Sequence, residues 1–128
     1  LEAKDYTVSS SNEIQTVVES MVGNVDVIYA PTDNMIAAGM ATVSMIANDN
    51  GLPTVVGESG MVEAGGLVTY GIDYYQLGYM AGEQAIDILV NGADITQMPI
   101  GYLDASRCEL MVNEDTAATL GIDPAVFE

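Results

Sequence analysis

An α/β domain, built on an open parallel sheet with helices on both faces, is the fold that the 128-residue sequence predicts. Three observations predict it. β-prone apolar runs alternate with segments of helical periodicity from Asp5 to Leu120, and turn-forming residues stand at the junctions. Hydrophobic residues make up 49% of the chain and are spread along its length, which a packed core requires and which disorder or a fibrous repeat does not show. The length is that of one domain, enough to bury a core without disulfide or metal staples.

The elements follow in order. Asp5-Tyr-Thr-Val8 is β-prone and predicts a first strand. Ser9-Ser-Ser11 then leads into Asn12–Val22, where Ile14, Val17, Val18, Met21 and Val22 recur at helical spacing. Ser10 with Glu13 three positions later fits a capping box, and Gly23-Asn24 closes the helix. Val25–Ala30 is a nearly continuous apolar run, the pattern of a central strand covered on both faces. Pro31-Thr-Asp-Asn34 ends it, and Met35–Ala47 reads as one helix rich in Ala and Met that stops near Asn48–Gly51. Leu52–Gly57 is the third strand, Glu58-Ser-Gly60 its turn, and Met61–Gly65 a short helix. Gly66–Ile72 is the fourth strand. Tyr74–Asn91 is a long helix whose Gly78, Ala81, Gly82 and Ala85 form a face of small residues suited to close backbone approach. Pro99–Tyr102 and Glu109–Val112 read as short extended pieces, and Asp115–Leu120 as a last helix before Gly121. Such alternation argues for parallel strands joined by right-handed crossovers.

Nineteen acidic residues against two basic ones, Lys4 and Arg107, give a net charge of −17. That charge repels a phosphate backbone and excludes nucleic acid as a partner, and it disfavours an anionic membrane surface. It is either a solubility device or a bias towards cationic and zwitterionic ligands. No run approaches the roughly 20 apolar residues of a spanning helix. With no histidine, the chain supplies neither a Ser-His-Asp or Cys-His pair nor an imidazole ligand for zinc, and the single Cys108 forms no internal disulfide. Gly57-Glu-Ser-Gly-Met61 imitates a nucleophile elbow, but its fifth position is Met and no base is at hand to activate Ser59. The phosphate-cradling glycine motifs do not occur. Ile46–Gly51 imitates part of a calcium loop, yet Ile46 holds the first ligand position and Gly57 the place of the closing glutamate. A non-enzymatic protein without cofactor or metal is the expectation, and the eight methionines read as core filler.

In an open parallel sheet, ligands sit beyond the carboxyl ends of the strands. Four such ends are Ser9–Asn12, Pro31–Asn34, Glu58-Ser59 and Asp73-Tyr74, all small polar or acidic groups that together suggest a polar pocket. Asp33 or Thr32 caps the helix that follows; the remaining free amides there form a site for a carboxylate, or capping is their whole role. Glu13 reads as a capping-box partner. Glu58 and Asp73 each follow an apolar strand in a chain with two basic residues, and one of them is expected to accept a ligand ammonium. Tyr74 and Tyr75 either line the pocket or pack the domain. Asp33 and Asp73 are expected to approach a common cleft.

The succession Val8–Gln15, then Val25–Asn34, then Tyr70–Gly78, then Met111-Val-Asn113 with Leu120-Gly-Ile122 resembles the ABC-transporter substrate-binding protein family that includes tryptophan- and tyrosine-binding lipoproteins. The Pro31-Thr-Asp-Asn34 and Gly71-Ile-Asp-Tyr-Tyr75 pieces are fairly specific together, and order and spacing match over nearly the whole chain. The resemblance implies a type I periplasmic-binding-protein fold, two α/β lobes joined by crossover strands that close on a ligand. It implies that residues 1–128 are a partial C-terminal lobe, with the first lobe and the opening strand and helix of the second lying outside. Residues 74–91 then form a crossover helix for the other lobe. Position by position, it supports Thr32, Asp33, Asn34 and Asp73 as cleft residues, with Ser10 and Glu58 as neighbours.

The implied function is the solute-binding component of an ABC-type importer, binding a small amino acid or related amine and passing it to a membrane permease. The implied location is extracytoplasmic, periplasmic or on a cell-surface lipoprotein, with any targeting segment upstream of Leu1. The alternative is the ligand-sensing lobe of a transcriptional regulator, which shares the fold by analogy only. An enzyme working through Asp33 with Asp73 lacks a group to activate its nucleophile. A helix 74–91 without a partner leaves an apolar face open, so self-association is also expected.

Overall fold

The computed structural model describes residues 1–127 and divides into two compact units. The first comprises Leu1–Gly71 with the chain from Leu110 onward, and the second Ile72–Glu109. Four strands, β1 (Ile28–Ala30), β2 (Thr54–Val56), β3 (Val68–Ile72) and β4 (Cys108–Val112), form one sheet in the order β1-β2-β3-β4. β1 and β2 run parallel with Tyr29 opposite Val55, and β2 and β3 run parallel with Val55 opposite Val68. Asn113, just after β4, donates its amide to the carbonyl of Leu67, just before β3, at 2.8 Å, the pairing of an antiparallel neighbour. The parallel expectation therefore describes β1 to β3.

The helices of the first unit are α1 (Ile14–Met21), α2 (Asn34–Ala38), α3 (Met40–Asp49), α4 (Ser59–Glu63) and, after β4, α6 (Glu114–Leu120). Their inward faces and the strands enclose a core of Ile14, Val18, Ile28, Met40, Val56 and Met61 with their neighbours. Leu67, Val68 and Ala117 form a second cluster joined by Val112 and Leu120. Met40 and Met61 are fully buried, as filler should be, whereas Met45 is 58% exposed.

Several expectations are corrected here. Asp5–Val8 forms no strand, and none of its residues enters a backbone–backbone hydrogen bond. The run Val25–Ala30 yields a three-residue strand at the edge of the sheet rather than its centre, and Tyr29 is 68% exposed between two buried neighbours. Pro99–Tyr102 forms no strand either. The single helix read over Met35–Ala47 is two, parted at Gly39. A side chain at Gly39 would run into that of Ile14, so glycine at the break gives the Ile14 side chain room. The Ser10–Glu13 capping box does not form. Ser10 makes no side-chain cap, while Glu13 accepts the amide of Ser9 at 3.0 Å, and a 3-10 turn over Ser11–Glu13 precedes α1.

The second unit holds α5 (Tyr74–Leu89), which has no buried residue along 16 positions. Its glycines 78 and 82 have no other part of the molecule within 4 Å of where a side chain would begin, so the small-residue face makes no close approach among the described residues. Two short 3-10 turns, Ile95–Gln97 and Ala105–Arg107, follow on the way to β4. No helix among the described residues is long and apolar enough to cross a membrane.

Candidate functional site

Each helix that follows β1, β2 or β3 begins on an acid from the strand's carboxyl end. Asp33 Oδ1 accepts the amides of Met35 at 2.9 Å and Ile36 at 3.0 Å and starts α2. Glu58 Oε2 accepts the amide of Gly60 at 3.2 Å and starts α4. Asp73 Oδ1 accepts the amide of Gln76 at 3.1 Å and starts α5. The three acids thus share one local job, meeting the free amides of a helix start. Each spends one carboxylate oxygen on it, and the second oxygen of each has no protein donor among the described residues.

Two of these junctions lie side by side in the first unit. The amide of Gly57 donates to the carbonyl of Ala30 at 2.9 Å, continuing the β1–β2 ladder one residue past β2. Gly57 faces the backbone nitrogen and hydroxyl of Thr32 so closely that no side chain fits there. Thr32, Asp33 and Asn34, all exposed, are thereby brought beside half-buried Glu58 at the carboxyl ends of neighbouring parallel strands. Among the described residues no basic side chain hydrogen-bonds to them. Lys4 donates instead to the carbonyl of Asn24 at 2.9 Å. The arrangement offers carboxylate oxygens, a hydroxyl and an amide within one patch, a set that accepts hydrogen bonds from an ammonium or a hydroxyl.

Ser10 stands at the head of the 3-10 turn before α1, where its carbonyl accepts the amide of Glu13 at 3.0 Å. Asp73, half-buried, belongs to the second unit. Tyr74 and Tyr75 of that unit are 52% and 77% exposed. Two hollows open on the first unit. One, of about 260 Å³, is mainly apolar and is bounded by Tyr6, Val8, Val18, Tyr29 and Ile36, with Asp33 at its rim. The other, of about 310 Å³, is bounded by Asn12, Gln15 and Thr42 beside Gly39. Sequence reasoning had Asn12 among the strand-end groups and missed Gln15 and Thr42. Asn12 and Gln15, three apart at a helix start, are the signal that was there to read. No cluster of three or more Cys, Asp or Glu close enough to hold a metal ion occurs among the described residues.

Outside the candidate site, two acids of the second unit are held below the ordinary carboxylate range. Asp94 is lowered by the hydroxyl and amide of Thr96, and Asp104 by the amide and hydroxyl of Ser106. Both are turn-starting caps in open solvent.

Comparison with known proteins places these features among relatives. The family model described as ABC transporter substrate binding protein matches residues 1–125. A tyrosine-binding protein of Clostridioides difficile (strain R20291) is 42% identical over 119 residues, covering 93% of this chain and 34% of that protein. The ligand-free, open structure of a substrate-binding protein with adhesive properties from Clostridium difficile superposes with a TM-score of 0.72 at 42% identity, covering 91% of this chain and 38% of the other. The structure of an ABC domain in complex with L-Trp from Streptococcus pneumoniae superposes with a TM-score of 0.83 at 32% identity, covering 99% of this chain and 43% of the other. The chain spans about a third of the length of the curated relative it matches.

Proposed function

The chain belongs to the ABC transporter substrate-binding protein family, and on that premise we propose that it supplies part of the binding cleft of an importer's solute receptor. The solute is an amino acid. That reading draws on relatives described as binding tyrosine and as holding L-Trp, and on the patch of acceptors at the ends of β1 and β2. The observation that carries it is the family match over residues 1–125. A chain of net charge −17, with its two basic side chains outside the strand-end loops, suits a ligand that brings its own ammonium.

In this reading Glu58 or Asp73 uses its spare oxygen to accept the ammonium, Thr32, Asp33 and Asn34 take the rest of the amino-acid head, and Ser10 stands near. Residues 1–128 form a partial C-terminal lobe, and α5 docks on a further lobe of the kind the longer relatives carry. When left alone, its exposed Leu77, Ile86 and Leu89 promote pairing between copies. The receptor works outside the cytoplasm, hands its solute to a membrane permease and carries out no reaction itself.

Calorimetric titration of the gene product that carries this chain tests the assignment. L-Tyrosine or L-tryptophan should bind, and a dicarboxylate without an amine should not. Glu58→Gln or Asp73→Asn keeps an oxygen for the helix cap but loses the charge, and at the acid that accepts the ammonium should weaken amino-acid binding about tenfold or more, the scale of one charge-assisted hydrogen bond. Tight binding of the dicarboxylate with none of either amino acid would overturn the reading.

A further inference from the structure

Glu58 keeps a fixed place only as far as α4, the five-residue helix it starts, keeps one. A helix of that length has almost no stability of its own in water, because ordering its first turn is repaid by too few bonds. The amide of Met61 donates to the carbonyl of Glu58 at 3.2 Å, and that of Ala64 to the carbonyl of Gly60 at 3.0 Å. Burial of Met61 and Val62 holds the middle. The end remote from Glu58 is held by a residue 51 positions along the chain, where Asn113 Nδ2 donates to the carbonyl of Val62 at 2.9 Å. The amide of Asn113 donates to the carbonyl of Leu67 at 2.8 Å, and its Oδ1 accepts the amide of Thr116 at 2.9 Å. Thr116, itself buried, donates from Oγ1 to the carbonyl of Gly65 at 3.0 Å. Asn113 and Thr116 thus grip the last turn of α4 and its link to β3, all within the first unit.

This grip is more than the start of α6 requires. A cap needs one side-chain oxygen, which serine, threonine or aspartate supplies as well. Of the residues favoured at a cap, asparagine alone accepts with one atom and donates with another, and here both atoms are used. Asn113 stands at the amino end of β3 and Glu58 at the carboxyl end of parallel β2, so Asn113 reaches the acceptor patch only through α4. We propose that Asn113 is a positioning residue for Glu58: by fixing one end of α4 it fixes the other, and with it the carboxylate oxygen that Glu58 does not spend on its helix. The proposal rests on the reading that an acid accepts the solute's ammonium, and it gives that part to Glu58. Asp73 has no such backing, since α5, which it starts, has no buried residue. An acceptor held in place loses less freedom on binding than a loose one, so slackening α4 should appear as lost affinity.

The test is made on the gene product that carries this chain, with Asn113→Ser, which keeps an oxygen for the amide of Thr116 and loses the arm to Val62. Hydrogen exchange at Gly60, Met61 and Ala64 should quicken about tenfold, while Ile28 and Gly57 of the β1–β2 ladder keep their rates. In calorimetry the variant should bind L-tyrosine or L-tryptophan about fivefold more weakly, and in a Glu58→Gln background it should cause no further loss. Should Asn113→Ser fail to fold, Thr116→Val removes the bond to Gly65 and should give the same pattern at about twofold. Equal quickening at every amide would overturn the proposal, because the whole fold would then have loosened. Unchanged affinity beside a quickened α4 would overturn it too, as would an undiminished loss in the Glu58→Gln background. A wild-type protein that binds neither amino acid would overturn the solute reading instead, and hydrogen exchange alone would then decide whether Asn113 positions Glu58.

Discussion

The two units of this protein are written in the same residue types and treat them in opposite ways. Every buried hydrophobic residue among those described belongs to the first unit, from Ile14 to Ala117. In the second, Tyr74, Tyr75, Leu77, Tyr79, Ile86 and Leu89 of α5 are all exposed. Helical periodicity is plain in both α1 and α5, so periodicity announces a helix without announcing what covers it. Burial depends on tertiary partners, and the first unit contains its own. Stability should therefore be concentrated there.

The largest expected effect comes from truncating that core. Met61→Ala or Leu67→Ala should destabilise the chain by about 2–5 kcal/mol, whereas Leu77→Ala in α5 should change stability by less than about 0.5 kcal/mol. Denaturant unfolding of the three variants checks it, and equal losses would erase the contrast.

Glycines sharpen the comparison at a smaller scale. Gly57→Ala forces a side chain against the backbone of Thr32 and should cost about 1–3 kcal/mol. Gly82→Ala enters open space on a helix and should gain up to about 1 kcal/mol. Opposite signs in thermal melts are the expected outcome.

Much of this architecture was legible in the sequence, because local signals carried it. The helices at Ile14–Met21, Tyr74–Leu89 and Glu114–Leu120 lie where apolar spacing and turn residues place them. What was illegible depends on groups far apart in the chain. The glycine at the break, Gly39, makes room for Ile14, twenty-five positions earlier, and no window of local pattern contains both. The strand expected at Asp5–Val8 has the right residues, but a ladder needs a neighbour and the described residues provide none. At the candidate site, the sequence located Thr32, Asp33, Asn34 and Glu58 at strand ends, and the close fit of Gly57 on Thr32 is what brings them together. Helix capping by Asp33 was legible too, whereas Glu58 and Asp73 cap their helices without a reading in the sequence that foretold it.

The smallest effect concerns acid. Asp94 has its carboxyl lowered in the folded chain, so its contribution is complete above the unfolded carboxylate value, about 3.9, and is lost as pH falls through the lower folded value. Because the group lies in open solvent, the consequence should stay local. Amides of Ile95–Gln97 should lose order in strong acid before those of β1 and β2 do, as NMR titration would show; simultaneous loss would tie the turn to the core.

The central claim is that this chain holds part of a cleft whose remainder lies in other polypeptide. Functional pockets bury most of a ligand's surface, which a single open patch at two strand ends does not do. The direct measurement is calorimetric titration of L-tyrosine and L-tryptophan into the 128-residue chain and, in parallel, into the gene product that carries it. The account predicts firm binding by the whole gene product and binding weaker by roughly 100-fold or more by the chain alone, the loss expected when about 2.7 kcal/mol of contacts is missing. Equal affinity in both would show that the chain holds the whole site, and would contradict the account.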